Sequence, residues 1–390
     1  MSEVFFAIER NGLKFDLSAK GTEQIQPCSV APGPMRLLPL FFYALAGLVS
    51  AGEEPASPAN PLWDGQESVE HYAKRVNLPP TQTLDLGNGV KMNLVLIPAG
   101  KFIMGPPEHE QPALGQAMVG IFGGILFIAL LVFLIRAKRE RKWPQYSLMF
   151  SIVMMFVASF GVWGGVRWHE ALKHLDDFEL MNEHPAHEVS LTKPFYMGKF
   201  AVTQEQYQTV IGANPSYYTG KDNPVETVSW NDAQDFCKKL NALTPNPSPS
   251  GERGGVRLPT EAEWEFACRA GTRTIYYSGN SEENLARVAW YGANCNYTTH
   301  PVGQKEPNVF GLYDMLGNVE EWCQDWYGLY AVDAATDPQG PAQGYSRTLR
   351  GGAVNRDLWD CRSACRSCEN PGKRYSSIGF RVVAAVPRSP

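Results

Sequence analysis

Three cysteines near the C-terminus, Cys361, Cys365 and Cys368, are the residues of this 390-residue chain best suited to chemistry, separated by three and then two residues. Sulfur at such spacing can close a disulfide, hold a soft metal ion, or pack as buried inert thiol. Cys365-Arg366-Ser367-Cys368 is a lone C-x-x-C, and no second one completes a zinc framework. Counting Cys28, Cys237, Cys268, Cys295 and Cys323 there are eight cysteines, which in an exported protein can support disulfides, for example one joining Cys365 to Cys268. A second cluster, Glu183, His184, His187 and Glu188, mixes carboxylates and imidazoles. It reads either as a metal site or as the solvated edge of a strand.

The elements that must position these residues are legible in part. A short amphipathic helix is expected around Gln66 to Arg75, stopped by Pro79-Pro80. Val90 to Ile97 alternates as a strand and turns at Pro98-Ala99-Gly100 into a second strand, Lys101 to Met104. His187 to Lys193 reads as another strand. Helices are expected over Thr203 to Ile211, Trp230 to Asn241 and Thr260 to Arg269, started by Thr203, Ser229 and Thr260; Thr260-Glu261-Ala262-Glu263 makes a capping box. Residues 244–255, rich in Pro, Ser and Gly, form an exposed loop. From Gly271 onward the chain is irregular and aromatic, and Trp264, Trp290, Trp322, Trp326 and Trp359 are expected to pack in the core.

Two uncharged apolar runs, Ala117 to Ile135 and Ser147 to Val166, interrupt this pattern. At 1.5 Å per residue each reaches roughly 30 Å, the thickness of a bilayer's hydrocarbon core. The basic connector Arg136 to Lys142 is expected on the cytoplasmic side, which sends both flanks to the opposite face. The alternative is a buried helical hairpin in a soluble core. Met35 to Ala51 has the anatomy of a secretory signal, one early cation, an apolar stretch and small residues before Gly52-Glu53-Glu54, and it exports the downstream chain whether it is cleaved or stays as an anchor. Residues 1–34 are then an extension ahead of the true start, and 52–89 a linker carrying the short helix. The net charge of −5 and a pI near 5.9 give no general attraction to nucleic acid. A hydrophobic content of 44% with 12% aromatics suffices for a real core.

Six segments taken in order, Leu94 to Gly105, Pro194 to Thr203, Pro224 to Trp230, Arg257 to Glu265, Gly311 to Trp322 and Ile378 to Arg381, closely resemble the formylglycine-generating enzyme, or sulfatase-modifying factor, family. The resemblance covers 90–105 and 182–385 and implies an irregular α+β fold related to C-type lectins. Residues 106–181, with transmembrane helices at 117–135 and 147–166, then become an insertion in one of its loops. The chain leaves and returns on one membrane face, so the domain can close around the base of the insertion without threading.

The resemblance further implies oxidation of a sulfatase cysteine to formylglycine with dioxygen, on copper(I) held by two thiolates, a ligand type that selects that soft ion. In the family those thiols lie as Cys-x4-Cys after a Gly-Gly-Ser turn. Here the turn is Gly351-Gly352-Ala353, Arg356 stands where the first thiol belongs, and Cys361 and Cys365, the only candidates for the catalytic pair, have three residues between them. The segment Gly317-Asn318-Val319-Glu320-Glu321-Trp322 resembles a calcium loop, with Gly317, Asn318, Val319 and Glu321 as the candidate ligands and Glu320 in place of the usual tryptophan. The alternative there is a tight turn in which Asn318 bonds backbone and Glu321 pairs with an arginine. Three functions are compatible with these features: a membrane-anchored extracytoplasmic oxidase acting on a sulfatase peptide, a non-catalytic module binding a peptide or exported protein on the same fold, or a structural envelope protein. The lipid bilayer is an expected partner of all three.

Overall fold

The computed structural model describes residues 61–107, 182–243 and 255–386. The extension 1–34, the signal at 35–51, both apolar runs of the insertion and all but the end of the 244–255 loop lie outside the described residues. Among the described residues no helix is long and apolar enough to cross a membrane.

Five helices and twelve strands are found among those residues. One sheet has the order β1 (Thr81–Gly87), β2 (Val90–Ile97), β5 (Phe195–Gly198), β12 (Val383–Ala385), β6 (Val256–Arg257), with every pair antiparallel. Its middle is apolar on both faces, with Leu94, Leu96, Ile97 and Met197 fully buried. Asn88-Gly89, both at positive φ, close the β1–β2 hairpin, a turn whose twist matches that of its strands. A second sheet joins β3 (Gly100–Met104), β4 (His187–Leu191) and β8 (Ala335–Thr336). In a third, β10 (Arg366–Glu369), β9 (Arg347–Arg350), β7 (Glu320–Trp326) and β11 (Ile378–Gly379) lie side by side. The helices are α1 (Val69–Arg75), α2 (Gln204–Ile211), α3 (Trp230–Leu243), α4 (Glu261–Arg269) and α5 (Glu282–Val288).

Residues 61–89, expected as a linker, instead belong to the domain. β1 pairs along the length of β2, Tyr72 of α1 is fully buried with its hydroxyl accepting the Ala99 N–H, and Trp63 packs edge-on against Phe266 and Phe310. Polar alternation in Thr81 to Gly87 hid an edge strand whose one face is solvated. The stretch after Gly271 is also more regular than expected. It contains α5, capped by Ser281, and the seven-residue β7, whose Glu-Glu-Trp-Cys-Gln-Asp-Trp reads as polar yet is mostly buried.

Helix α4 is the pivot. Its capping box is formed as expected, and all nine of its residues are buried, three glutamates included. A buried carboxylate must find a cation. Glu261 is held by both Nε and Nη2 of Arg366, at 2.6 and 2.8 Å, Glu263 by Arg257 at 2.6 Å, and Glu265 by Arg269 at 2.8 Å and by Arg350. This network also holds the chain on either side of residues 108–181. Glu265 accepts the Gly105 N–H, Arg269 donates to the Gly105 carbonyl, Arg366 donates to the Asn182 carbonyl, and Glu183 forms a two-pronged pair with Arg362 at 2.8 Å. The outgoing and returning chains are adjacent, since Met104 of β3 pairs with His187 of β4.

Candidate functional site

The segment that should carry chemistry is built where β9 ends in the turn Gly351-Gly352-Ala353 and meets the loop preceding β7. Gly351 and Gly352 both have positive φ, and a Cβ on Gly352 would lie 2.6 Å from the Cys361 sulfur. Glycine is required there because the backbone covers that thiol directly. The turn and the loop are bonded together: the Gly317 N–H donates to the Gly351 carbonyl at 2.7 Å, and Val354 N–H to the Asn318 carbonyl at 3.2 Å.

Beneath this cover Cys361 is fully buried, and burial, with Asp360 next, pushes its thiol well above the ordinary range. Cys365, partly exposed as a residue, is pushed up in the same direction by burial and then by Glu183. Both are free thiols. Cys268 is also free, its thiol raised to about 12 by burial, so the expected Cys365–Cys268 bridge does not form. Cys368, by contrast, is disulfide-bonded. A copper(I) site requires two thiolates facing an accessible space. A buried Cys361 covered by a glycine turn, with the Cys368 sulfur already bonded, does not present that open face.

Arg356, expected where the family's first thiol belongs, is part of an ion pair. Its guanidinium lies 3.1 Å from the Glu320 carboxylate, with Nε donating to the same oxygen at 3.4 Å. Glu320 is almost wholly buried, and its charge is the main reason the Arg356 guanidinium is held even above its usual value. Arg356 and Glu320, 36 residues apart in sequence, therefore meet in space and neutralise each other. The pair is fixed at both ends: Arg356 N–H donates to the Ala353 carbonyl, Gly292 N–H to the Arg356 carbonyl, and Glu320 N–H to the Ser377 carbonyl.

The residues of the expected calcium loop are brought together, but their oxygens are committed elsewhere. Glu321, 1% exposed, accepts from Arg381 on both oxygens at 2.6 and 2.7 Å and from the Trp264 indole at 2.7 Å. Asn318, at φ 64°, exchanges two hydrogen bonds with the His300 backbone. Gly317 is pressed against the Trp290 carbonyl, which a Cβ would approach to 2.3 Å. A divalent cation bound by Glu321 would sit against a guanidinium, so this donor set does not fit calcium. It fits the tight turn with an arginine partner.

The histidine cluster does not assemble. His187 Nδ1 lies 3.0 Å from the Pro185 carbonyl and its ring packs on Tyr330, Glu188 pairs with Lys101 at the surface, and Glu183 faces Arg362. Among the described residues no group of three or more His, Cys, Asp or Glu is placed to hold a metal ion. Of the five tryptophans, Trp264 and Trp322 are fully buried core residues. Trp290 and Trp326 are half-buried, and Trp359 is exposed. The Glu261–Arg366 and Glu265–Arg350 pairs were not foreseen from sequence. The signal available was three glutamates on alternate positions of a helix rich in apolar residues, too many for one solvent face.

The family described as the sulfatase-modifying factor enzyme 1-like domain matches residues 164–386, more than half of the chain. The chain belongs to this family. Formylglycine-generating enzyme of Streptomyces coelicolor is 35% identical over 181 residues, 42% of this chain and 53% of that protein. A serine/threonine-protein kinase, pkn1 of Chlamydia pneumoniae, is 40% identical over 168 residues, 42% of this chain and 24% of the kinase. Chaperone protein LppX of Paenibacillus barcinonensis is 34% identical over 175 residues, 34% of this chain and 62% of the chaperone. The chain thus spans less than two thirds of each of these relatives. Among solved structures, Treponema denticola variable protein 1 aligns with a TM-score of 0.56 at 26% identity, covering 79% of this chain and 100% of that one. PvdO from Pseudomonas aeruginosa shares the fold, with a TM-score of 0.53 at 22% identity over 79% of this chain and 99% of its own. The sulfatase-modifying-factor domain thus occurs in relatives named for quite different activities, and the site must decide between them.

Proposed function

We propose that this chain is a non-catalytic recognition module of the sulfatase-modifying-factor family, held on the extracytoplasmic face of a membrane by its insertion and binding a peptide or an exported protein. The Arg356–Glu320 pair carries this reading, because it replaces a thiol and a tryptophan at once and leaves a guanidinium where the oxidase needs a soft ligand. Exposed aromatics beside it support recognition. Trp359 lies in the loop between Arg356 and Cys361, Tyr297 borders Gly292, which bonds Arg356, and both are more than half exposed. Large rigid rings left in solvent are typical anchors for a partner. The adjacency of Met104 and His187 supports the tether, since an insertion can leave and return there without disturbing the sheets.

The test is direct. Copper(I) titration of the purified chain, and aldehyde detection on a cysteine-containing sulfatase peptide under oxygen, are both expected to be blank, with the Streptomyces coelicolor enzyme as positive control. Calcium chelation should leave the melting temperature unchanged, since no ion stabilises the Gly317 loop by mass action. Formylglycine in the peptide would overturn the non-catalytic reading.

A further inference from the structure

The three most exposed large apolar side chains among the described residues lie on two neighbouring loops: Leu329 at 84%, Val332 at 81% and Tyr345 at 95%. The first loop, 327–334, joins β7 to β8, and the second, 337–346, joins β8 to β9. They are bonded to one another, with Tyr327 N–H donating to the Ser346 carbonyl at 2.9 Å and Gly328 packed against Pro341. Leu329 and Val332 are not apolar by accident of a frayed tip. Tyr330 between them is anchored inward, its hydroxyl on Glu261 at 3.2 Å, the Arg366 guanidinium 3.9 Å above its ring and His187 packed at 5.0 Å. That anchor fixes its neighbours facing outward.

The position of these loops names their partner. β8 pairs in parallel with β4, Val189 opposite Ala335, and β4 begins at His187, five residues after the returning chain is first described. Arg366, which packs on Tyr330, also holds the Asn182 carbonyl. Only residues 108–116 separate the outgoing chain from the first apolar run, and nine residues reach at most about 30 Å. Whatever lies beside this point is therefore kept close to the bilayer surface when the runs are in it. The exposed charges here are acidic, Asp333 foremost, so attraction to anionic headgroups is not what the loops offer. Leucine, valine and tyrosine together suit the interface of a bilayer, where a tyrosine sits at headgroup level and aliphatic side chains enter the acyl boundary.

We infer that the 327–334 and 337–346 loops form a membrane-contacting face, inserting Leu329, Val332 and Tyr345 into the interface of the same bilayer that carries the insertion. This inference rests on the tethered reading of residues 106–181. The face fixes the orientation of the domain on the membrane.

The experiment uses the full chain in phosphatidylcholine nanodiscs, with an environment-sensitive dye on Leu329→Cys or on Val332→Cys and wild-type chain labelled alongside for background. Both positions are exposed, so neither change disturbs the core. The expected result is blue-shifted emission that lipid-borne nitroxide quenches and aqueous iodide does not. Full quenching by iodide at either position, in a chain that resists carbonate extraction, overturns the membrane-contacting face and leaves the tether standing. Release of the chain by carbonate removes the tether and this inference with it.

Discussion

At the scale of single residues, Glu320 and Arg356 depend on each other through their ion pair. Either alone would leave a buried or half-buried charge without compensation, which is costly. A double-mutant cycle should show this. Glu320→Gln and Arg356→Met are each expected to destabilise by about 1–3 kcal/mol, and the double variant by clearly less than their sum, with coupling on the order of 1 kcal/mol in urea unfolding. Additive effects would mean that the two side chains do not share an interaction. Asp325 offers a pH-dependent test. It is 4% exposed, its carboxylate accepts the Glu261 N–H at 2.9 Å, and desolvation, followed by the Glu261 charge, raises it from 3.8 to about 7. The folded state therefore holds this proton more tightly than the unfolded one. The resulting stability is full below about pH 4 and is lost as pH rises through 7. Asp325→Asn keeps an acceptor for Glu261 and removes the charge, so the variant should gain stability relative to wild type between pH 4 and pH 8. Equal differences at the two ends would show that Asp325 ionises normally.

At the scale of elements, α4 and the strands β7, β9 and β10 act as one unit because their charges are shared. Glu265 compensates Arg269 and Arg350 and also holds the Gly105 backbone. Its loss is not a local event. Glu265→Ala leaves the buried Arg269 without a carboxylate and Arg350 with only Glu261, 3.7 Å away, and should cost about 3–5 kcal/mol, read from the denaturant midpoint at constant slope. Because Gly105 lies at the outgoing end of β3, the same variant should also raise amide exchange in β3 and β4 before the first sheet is affected. Unchanged exchange there would show that the network does not hold the β3–β4 pair through Gly105. The helix itself was expected from its Thr260 start, but its burial follows from the strands that surround it.

For the whole molecule, the proposed tether makes a topological prediction. Both ends of the 106–181 segment are tied to the same buried network, Gly105 through Glu265 and Arg269, Asn182 and Glu183 through Arg366 and Arg362. Expressed full-length chain should remain in the membrane pellet after carbonate. A cysteine placed at Arg139 should be reached by an impermeant thiol reagent only from the cytoplasmic side, and one at Tyr297 only from the other. Labelling of both from one side would remove the hairpin topology.

How much of this was legible in sequence depends on the range over which the physics acts. The caps at Thr203 and Thr260, the turn at Pro98-Ala99-Gly100, the apolar runs and the ordered family motifs are local, and the chain alone determined them. The family resemblance also singled out Arg356 and Glu320 as expected departures from its pattern. It did not show that they face each other, nor that Glu321 spends both oxygens on Arg381, 60 residues away. The strand character of Thr81 to Gly87 was hidden because edge strands alternate weakly, and the exposure of Trp359 because an aromatic side chain reads as core until its neighbours are known. Backbone pattern sets where a side chain can point. Which charge it meets there is fixed only when strands distant in sequence are brought together, and in this protein that meeting closes Arg356 and Glu320 into an ion pair.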